Sequence, residues 1–186
     1  MILTAPTAPR AAPAGKPRLT LVGVLAALAA AASTGSAAPD TAAAACAGTA
    51  EDATLCLINE ERRARGLAAL DAHPRLALAA RRHSADMVQR EFFSHISPGG
   101  STLADRLRRT GYLGACAWSA GETLAWGFGD ERTPASRVAA WMRSRPHRRV
   151  LLNPRYRDAG IGVARGIPQA PDRGLTYTAE FARRRC

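Results

Sequence analysis

Three short segments constrain this chain more than anything in its composition. His95 ends Phe92-Phe93-Ser94-His95 and is followed by Ser97-Pro98-Gly99-Gly100. Glu122 sits in Gly121-Glu122-Thr123-Leu124-Ala125-Trp126, and His147 closes Trp141-Met142-Arg143-Ser144-Arg145-Pro146-His147. Two imidazoles and a carboxylate brought together can bind a divalent cation or move a proton. They are too far apart along the chain to meet by helical spacing. Only a tertiary fold converges them, so the chain must first build a scaffold around them.

The start of the chain reads as an address. Arg10, Lys16 and Arg18 precede an apolar run from Leu19 to Ala32, and small residues lead to Gly35-Ser36-Ala37-Ala38. This is the pattern of a secretory signal peptide over residues 1–38. The run is shorter than the ~20 residues that span a bilayer, which favours a cleaved leader and no permanent membrane span. Residues 39–52 are rich in Ala and Thr, lack an apolar period and read as a tail. Residues 53–186 read as the domain, and about 135 residues are enough for a real core. No internal repeat is present, and a monomer is expected.

Export sends the chain to an extracellular, oxidising compartment, where Cys46, Cys56, Cys116 and Cys186 are expected in disulfides. Four cysteines admit three pairings, and the sequence alone does not choose. The favoured reading is Cys46–Cys56, pinning the tail to the first helix, and Cys116–Cys186, tying the last strand to the loop before Glu122. No Cys-x-x-Cys spacing points to a cysteine-ligated zinc.

Charge excludes one class of partner. The leader takes three of the 26 basic residues, leaving 23, all Arg, against 15 acidic ones, a balance of +8. Those arginines are scattered and few aromatics lie among them, so nucleic acid is not expected. Attraction to an anionic envelope polymer or lipid is the better match to the charge.

Periodicity supplies a coarse architecture. Leu55, Leu57 and Ile58 begin a helix that runs to about Arg65 and stops at Gly66. Pro74 opens a second, with Leu76, Ala80, His83 and Met87 along one face. A short helix is predicted over Ser101–Arg109. Another starts at Thr133-Pro134, carries Val138, Trp141 and Met142, and is closed by Pro146. Strands are predicted at 122–128, 159–164 and 175–181, the last alternating Tyr177, Ala179, Phe181 against Thr176, Thr178, Glu180. The order predicts an α+β fold, a small antiparallel sheet covered by helices. His83 reads as a core histidine, His73 as exposed, and Trp118, Trp126 and Trp141 as core, Trp118 being near enough to Glu122 to line a cleft.

Further pieces join the three segments. Leu57-Ile58-Asn59 is followed by Arg62 or Arg63, Gly66-Leu67 and Leu70; then come Asn153-Pro154, Ile161-Gly162-Val163, Tyr177-Thr178 and Phe181. In this order they resemble the CAP superfamily (cysteine-rich secretory, antigen 5, pathogenesis-related 1; the SCP-like domain), in its compact bacterial branch, over about residues 53 to 182. The resemblance implies an α-β-α sandwich. It also implies a central cleft that holds two His and two Glu in eukaryotic members. Carried over by position, these fall on His95, Glu122, Ser144 and Thr176, so half the tetrad is missing. His147 is what bacterial relatives carry instead, entering from the loop after Ser144.

The candidate cleft is therefore His95, Glu122, Ser144 and His147. His95, Glu122 and His147 could hold a divalent cation such as Zn²⁺ with open positions for water. The preferred alternative is a hydrogen-bonded polar network that requires no cofactor. For chemistry, Ser94, Ser97, Ser101 and Ser144 offer hydroxyls, but no Gly-x-Ser-x-Gly elbow is present. Glu122 and Glu180 are the one carboxylate pair to consider for glycoside cleavage. No catalytic residue is assigned. The function expected is a secreted binding or interaction module, for a small molecule, a lipid or an envelope component. The alternative is a metal-assisted extracellular hydrolase.

Overall fold

The computed structural model describes residues 46–186. The expected leader and the first part of the tail, up to residue 45, lie outside the described residues. Helix α1 (Ala50–Arg63) begins inside the segment read as tail. Thr49 Oγ1 accepts from Asp52 N at 3.1 Å, Glu51 and Asp52 occupy the first turn, and Arg62 and Arg63 the last. Capping and charge placement thus start a helix where alanines gave no apolar period. The Cys46–Cys56 disulfide ties the preceding segment to it.

Strand β1 (Asp71–Ala72) leads into α2 (Pro74–Gln89), and α3 (Leu103–Arg109) follows with a capping box between Thr102 and Asp105. His73 is half-buried rather than exposed, because its Nδ1 caps α2 by accepting from Arg75 N and its ring meets Tyr112 edge-on. Strand β2 (Ala117–Gly127), a 3₁₀ turn (Gly129–Arg132) and α4 (Pro134–Arg143) come next. Pro146 does not close a helix. The extended backbone of Ser144 ends α4, and Pro146 lies in the first turn of α5 (Arg145–Leu151), where a missing N–H costs nothing. His147 is therefore helical, not on a loop. Strands β3 (Asp158–Ile167) and β4 (Ala170–Arg185) form a closing hairpin longer than the apolar pattern predicted.

The sheet runs β1-β3-β4-β2. The three long strands are antiparallel as expected, and β1 adds two residues in parallel to β3. One face is covered by α1, α4 and α5, over a core that includes Ile58, Trp141, Tyr156, Tyr177, Ala179 and Phe181. The other is covered by α2 and α3, over a smaller cluster of Leu76, Ala79, Leu107, Tyr112, Leu113 and Ala182. The α2 backbone lies directly on β3. A Cβ on Gly160 or Gly162 would collide with backbone atoms of Ala77 or Arg81, so glycine sets the depth of that contact. Because helices cover both faces of β4, its polar row Thr176, Thr178 and Glu180 is as buried as its apolar row. Arg62, also buried, donates to Leu151 O and Asn153 O and so satisfies carbonyls at the end of α5. Of the tryptophans, Trp141 is core and donates to Leu124 O, Trp126 is half-buried and Trp118 is exposed.

Candidate functional site

Pairing between β2 and β4 sets Glu122 directly opposite Glu180, on the face beneath α2 and α3. Their side chains are 2% and 0% exposed. Two carboxylates cannot be buried side by side without a counter-charge. Arg106 of α3, itself 5% exposed, supplies it. Its Nη2 donates to Glu122 Oε2 at 2.5 Å, its Nε lies 3.7 Å from Glu180 Oε1, and its Nη1 donates to His95 O and Ser101 O. One guanidinium thus holds both strands and the loop that carries His95.

Glu122 turns its other oxygen to that loop. His95 Nδ1 lies 2.7 Å from Glu122 Oε1, and the imidazole is 27% exposed. With Nδ1–H donated to the carboxylate, Nε2 carries the free lone pair. His83 supports the same loop from α2. Its Nε2 donates to Ser94 O at 3.0 Å, while Nδ1 is buried without a partner. Burial lowers its pKa and keeps it neutral. His147, half-buried on α5, also has a lowered pKa, first from burial and then from the neighbouring imidazole of His95, since two imidazolium charges would repel.

Glu180 behaves differently from its neighbour. Burial, and after it the charge of Glu122, hold its pKa well above the ordinary glutamate value, with Arg106 acting against them. Neither of its oxygens has a hydrogen-bond partner among the described residues. As the protonated acid it leaves Arg106 and Glu122 as a neutral ion pair. The folded pKa lies above the unfolded one, so the stability this proton contributes is complete below about 4.5 and is lost as pH rises through the folded value. Glu180→Gln is therefore expected to melt above wild type at pH 8, with the gap closing as pH falls towards 4.5. Melting temperature measured against pH decides it. A variant that melts lower at pH 8 would mean that Glu180 is ionised and held by Arg106.

The sequence-derived residues separate accordingly. His95 and Glu122 meet. Ser144 is half-buried between α4 and α5, and its side chain makes no capping bond. Thr176 lies four residues from Glu180 along β4 and donates to Gly166 O, bracing the closing hairpin. His95, Glu122 and His147 do not gather three ligand atoms. Among the described residues the group that does is Cys46, Cys56 and Glu60, and its two cysteines are a disulfide. Both Glu122 oxygens already have partners, so a cation here would take His95 Nε2 and His147, with Glu122 orienting the first imidazole. Among the described residues no serine hydroxyl bonds His95: Ser94 Oγ accepts from Ile96 N, Ser97 Oγ donates to Asp86 and Ser101 Oγ accepts from Arg109. Arg106 was missed by the sequence reading. Its signal is a charge in helical phase with Leu103 and Leu107, both on the packed side of α3.

The family model of the cysteine-rich secretory proteins, CAP, matches residues 55–169. The chain belongs to this family. It is 34% identical to the uncharacterized protein YkwD of Bacillus subtilis over 125 residues, which are 67% of this chain and 44% of that protein. To the membrane protein YlbC of the same organism it is 38% identical over 136 residues, 73% of this chain and 35% of YlbC. The chain thus spans less than half the length of either relative. Among solved structures, an extracellular SCP-domain protein of Bacillus anthracis superposes with a TM-score of 0.61 at 30% identity, covering 72% of this chain and 40% of that one. An outer surface protein of Borrelia burgdorferi shares the fold, with a TM-score of 0.60 at 21% identity, over 70% of this chain and 90% of that one. The chain has the α-β-α sandwich of the fold it shares with these structures, and the Cys46–Cys56 and Cys116–Cys186 disulfides are present in it.

Proposed function

We propose that this CAP domain works outside the cell as a ligand-binding module whose cleft opens at His95, beside His147 and Ser144. One observation carries the reading. In the network of Arg106, Glu122, Glu180 and His95, only His95 reaches solvent, 27% exposed against 5% or less for the others. The buried members hold one imidazole rigidly and leave its Nε2 to the cleft. Two disulfides suit an oxidising compartment, and the B. anthracis neighbour is described as extracellular.

Zn²⁺ is the direct probe, since an imidazole oriented by a carboxylate is a donor such an ion takes. A bound cation would supply Lewis acidity to a water at the cleft mouth. Calorimetric titration of the mature, disulfide-intact protein is expected to show saturable binding that His95→Ala and His147→Ala each abolish. Binding unaffected by either substitution, or no binding at all, would leave His95 as a structural brace.

The His95–Glu122 pair also has the base-and-orienter geometry of hydrolytic sites. This favours a second reading, an extracellular hydrolase in which water is the nucleophile. Turnover lost in Glu122→Gln while ligand affinity stays within about twofold would favour it.

A further inference from the structure

A second feature is carried by the same helix as His147. An open groove of about 750 Å³ runs along α5 and the turn after it, rimmed by Arg145, Arg148 and Arg149 and floored by Val150, Leu152 and Tyr156. Between Glu131 and Asp158 the chain has no acidic residue at all. None of the three rim arginines makes a salt bridge among the described residues, whereas Arg63, Arg65, Arg90 and Arg108 each pair with a carboxylate. Arg145 lies three and four residues before Arg148 and Arg149, so like charges crowd one side of a seven-residue helix. That crowding opposes helix formation, and no acidic side chain among the described residues relieves it by a salt bridge.

We propose that this groove binds a linear, phosphate-bearing polymer, and so gives the binding role proposed above its ligand class. The rim is all arginine, whose planar fork takes phosphate oxygens two at a time. The remaining lining, Val150, Leu152, Asn153 and Tyr156 among it, carries no charge, so the charged contacts of the groove all come from the rim. An open groove admits an extended polymer at both ends. A membrane surface fits less well, because the large exposed hydrophobics among the described residues, Ile96, Trp118 and Phe128, all lie off the groove. His147 lies on the same helix as the rim arginines.

The test uses inorganic polyphosphate as the probe, with binding followed by fluorescence anisotropy over a range of salt concentrations. The groove variant is Arg145→Gln with Arg149→Gln. Arg148 is kept, because it donates to Met142 O at 3.1 Å and has a structural role. Arg81→Gln with Arg165→Gln is the control, removing two exposed arginines from α2 and β3 that also lack salt bridges. The groove variant is expected to lose about tenfold in affinity and to flatten the salt dependence by about one to two phosphate contacts, with the control within about twofold of wild type. An equal loss in the control would overturn the proposal in favour of diffuse charge attraction. So would binding to anionic phospholipid vesicles with none to the soluble polymer. Loss of polyphosphate binding in His95→Ala with the groove variant unaffected would move the site to the cleft. Intact polyphosphate binding alongside failed Zn²⁺ capture would remove the cleft reading and leave the groove.

Discussion

Arg106→Ala is expected to cost about 3–5 kcal/mol and to lower Tm by on the order of 10 °C, because it strands a buried charge. Glu122 loses its partner at Oε2, and Glu180 loses the guanidinium beside it. His95 O and Ser101 O lose their donor at the same time, so the loop between them should exchange its amide hydrogens faster. Thermal melts and hydrogen exchange separate the two effects. Adding Glu122→Gln and Glu180→Gln to Arg106→Ala should recover much of the stability, since neutral amides do not need the guanidinium. Recovery of stability without recovery of loop protection would assign Arg106 both roles, counter-charge and loop anchor. A single substitution costing under about 1 kcal/mol would place water, not Arg106, as the solvent of these carboxylates.

Removing the Cys116–Cys186 disulfide by double serine substitution should cost about 4 kcal/mol, read as a lower urea midpoint at pH 7. This bridge closes a loop of 70 residues and joins the ends of β2 and β4 next to the Ala117–Arg185 pairing. The constraint on the unfolded chain grows with the loop it closes. Cys46–Cys56 spans only 10 residues and should cost about 3 kcal/mol on the same basis. It secures the segment before α1, whereas the longer bridge secures the strand pairing that sets Glu122 against Glu180. An equal loss for the two would mean that native contacts, not loop closure, dominate their contribution.

Much of the scaffold was legible because its signals are local. Pro74, Thr133-Pro134 and the Leu76, Ala80, His83, Met87 stripe mark helices by backbone sterics and a 3.6-residue period. The start of α1 was not, since Thr49, Glu51 and Asp52 act by capping and charge while the alanines beside them are silent to periodicity. Pro146 reads equally well as a stop or a start. What decided it was the extended backbone at Ser144, and with it the place of His147 on a helix. The alternation in β4 was real, but it did not reveal that both faces are covered, because cover comes from helices distant in sequence.

The sequence by itself determined the family, most of the helices and the three long strands, and it pointed to His95 and Glu122, because each is written in a short window of residue types. Only the tertiary structure decided what those residues meet. The register of β2 on β4 put Glu180 opposite Glu122 across 58 positions, and α3 brought Arg106 in as the counter-charge of Glu122. Charge compensation in a buried site depends on distances between strands and helices, and no local pattern of side chains encodes those distances.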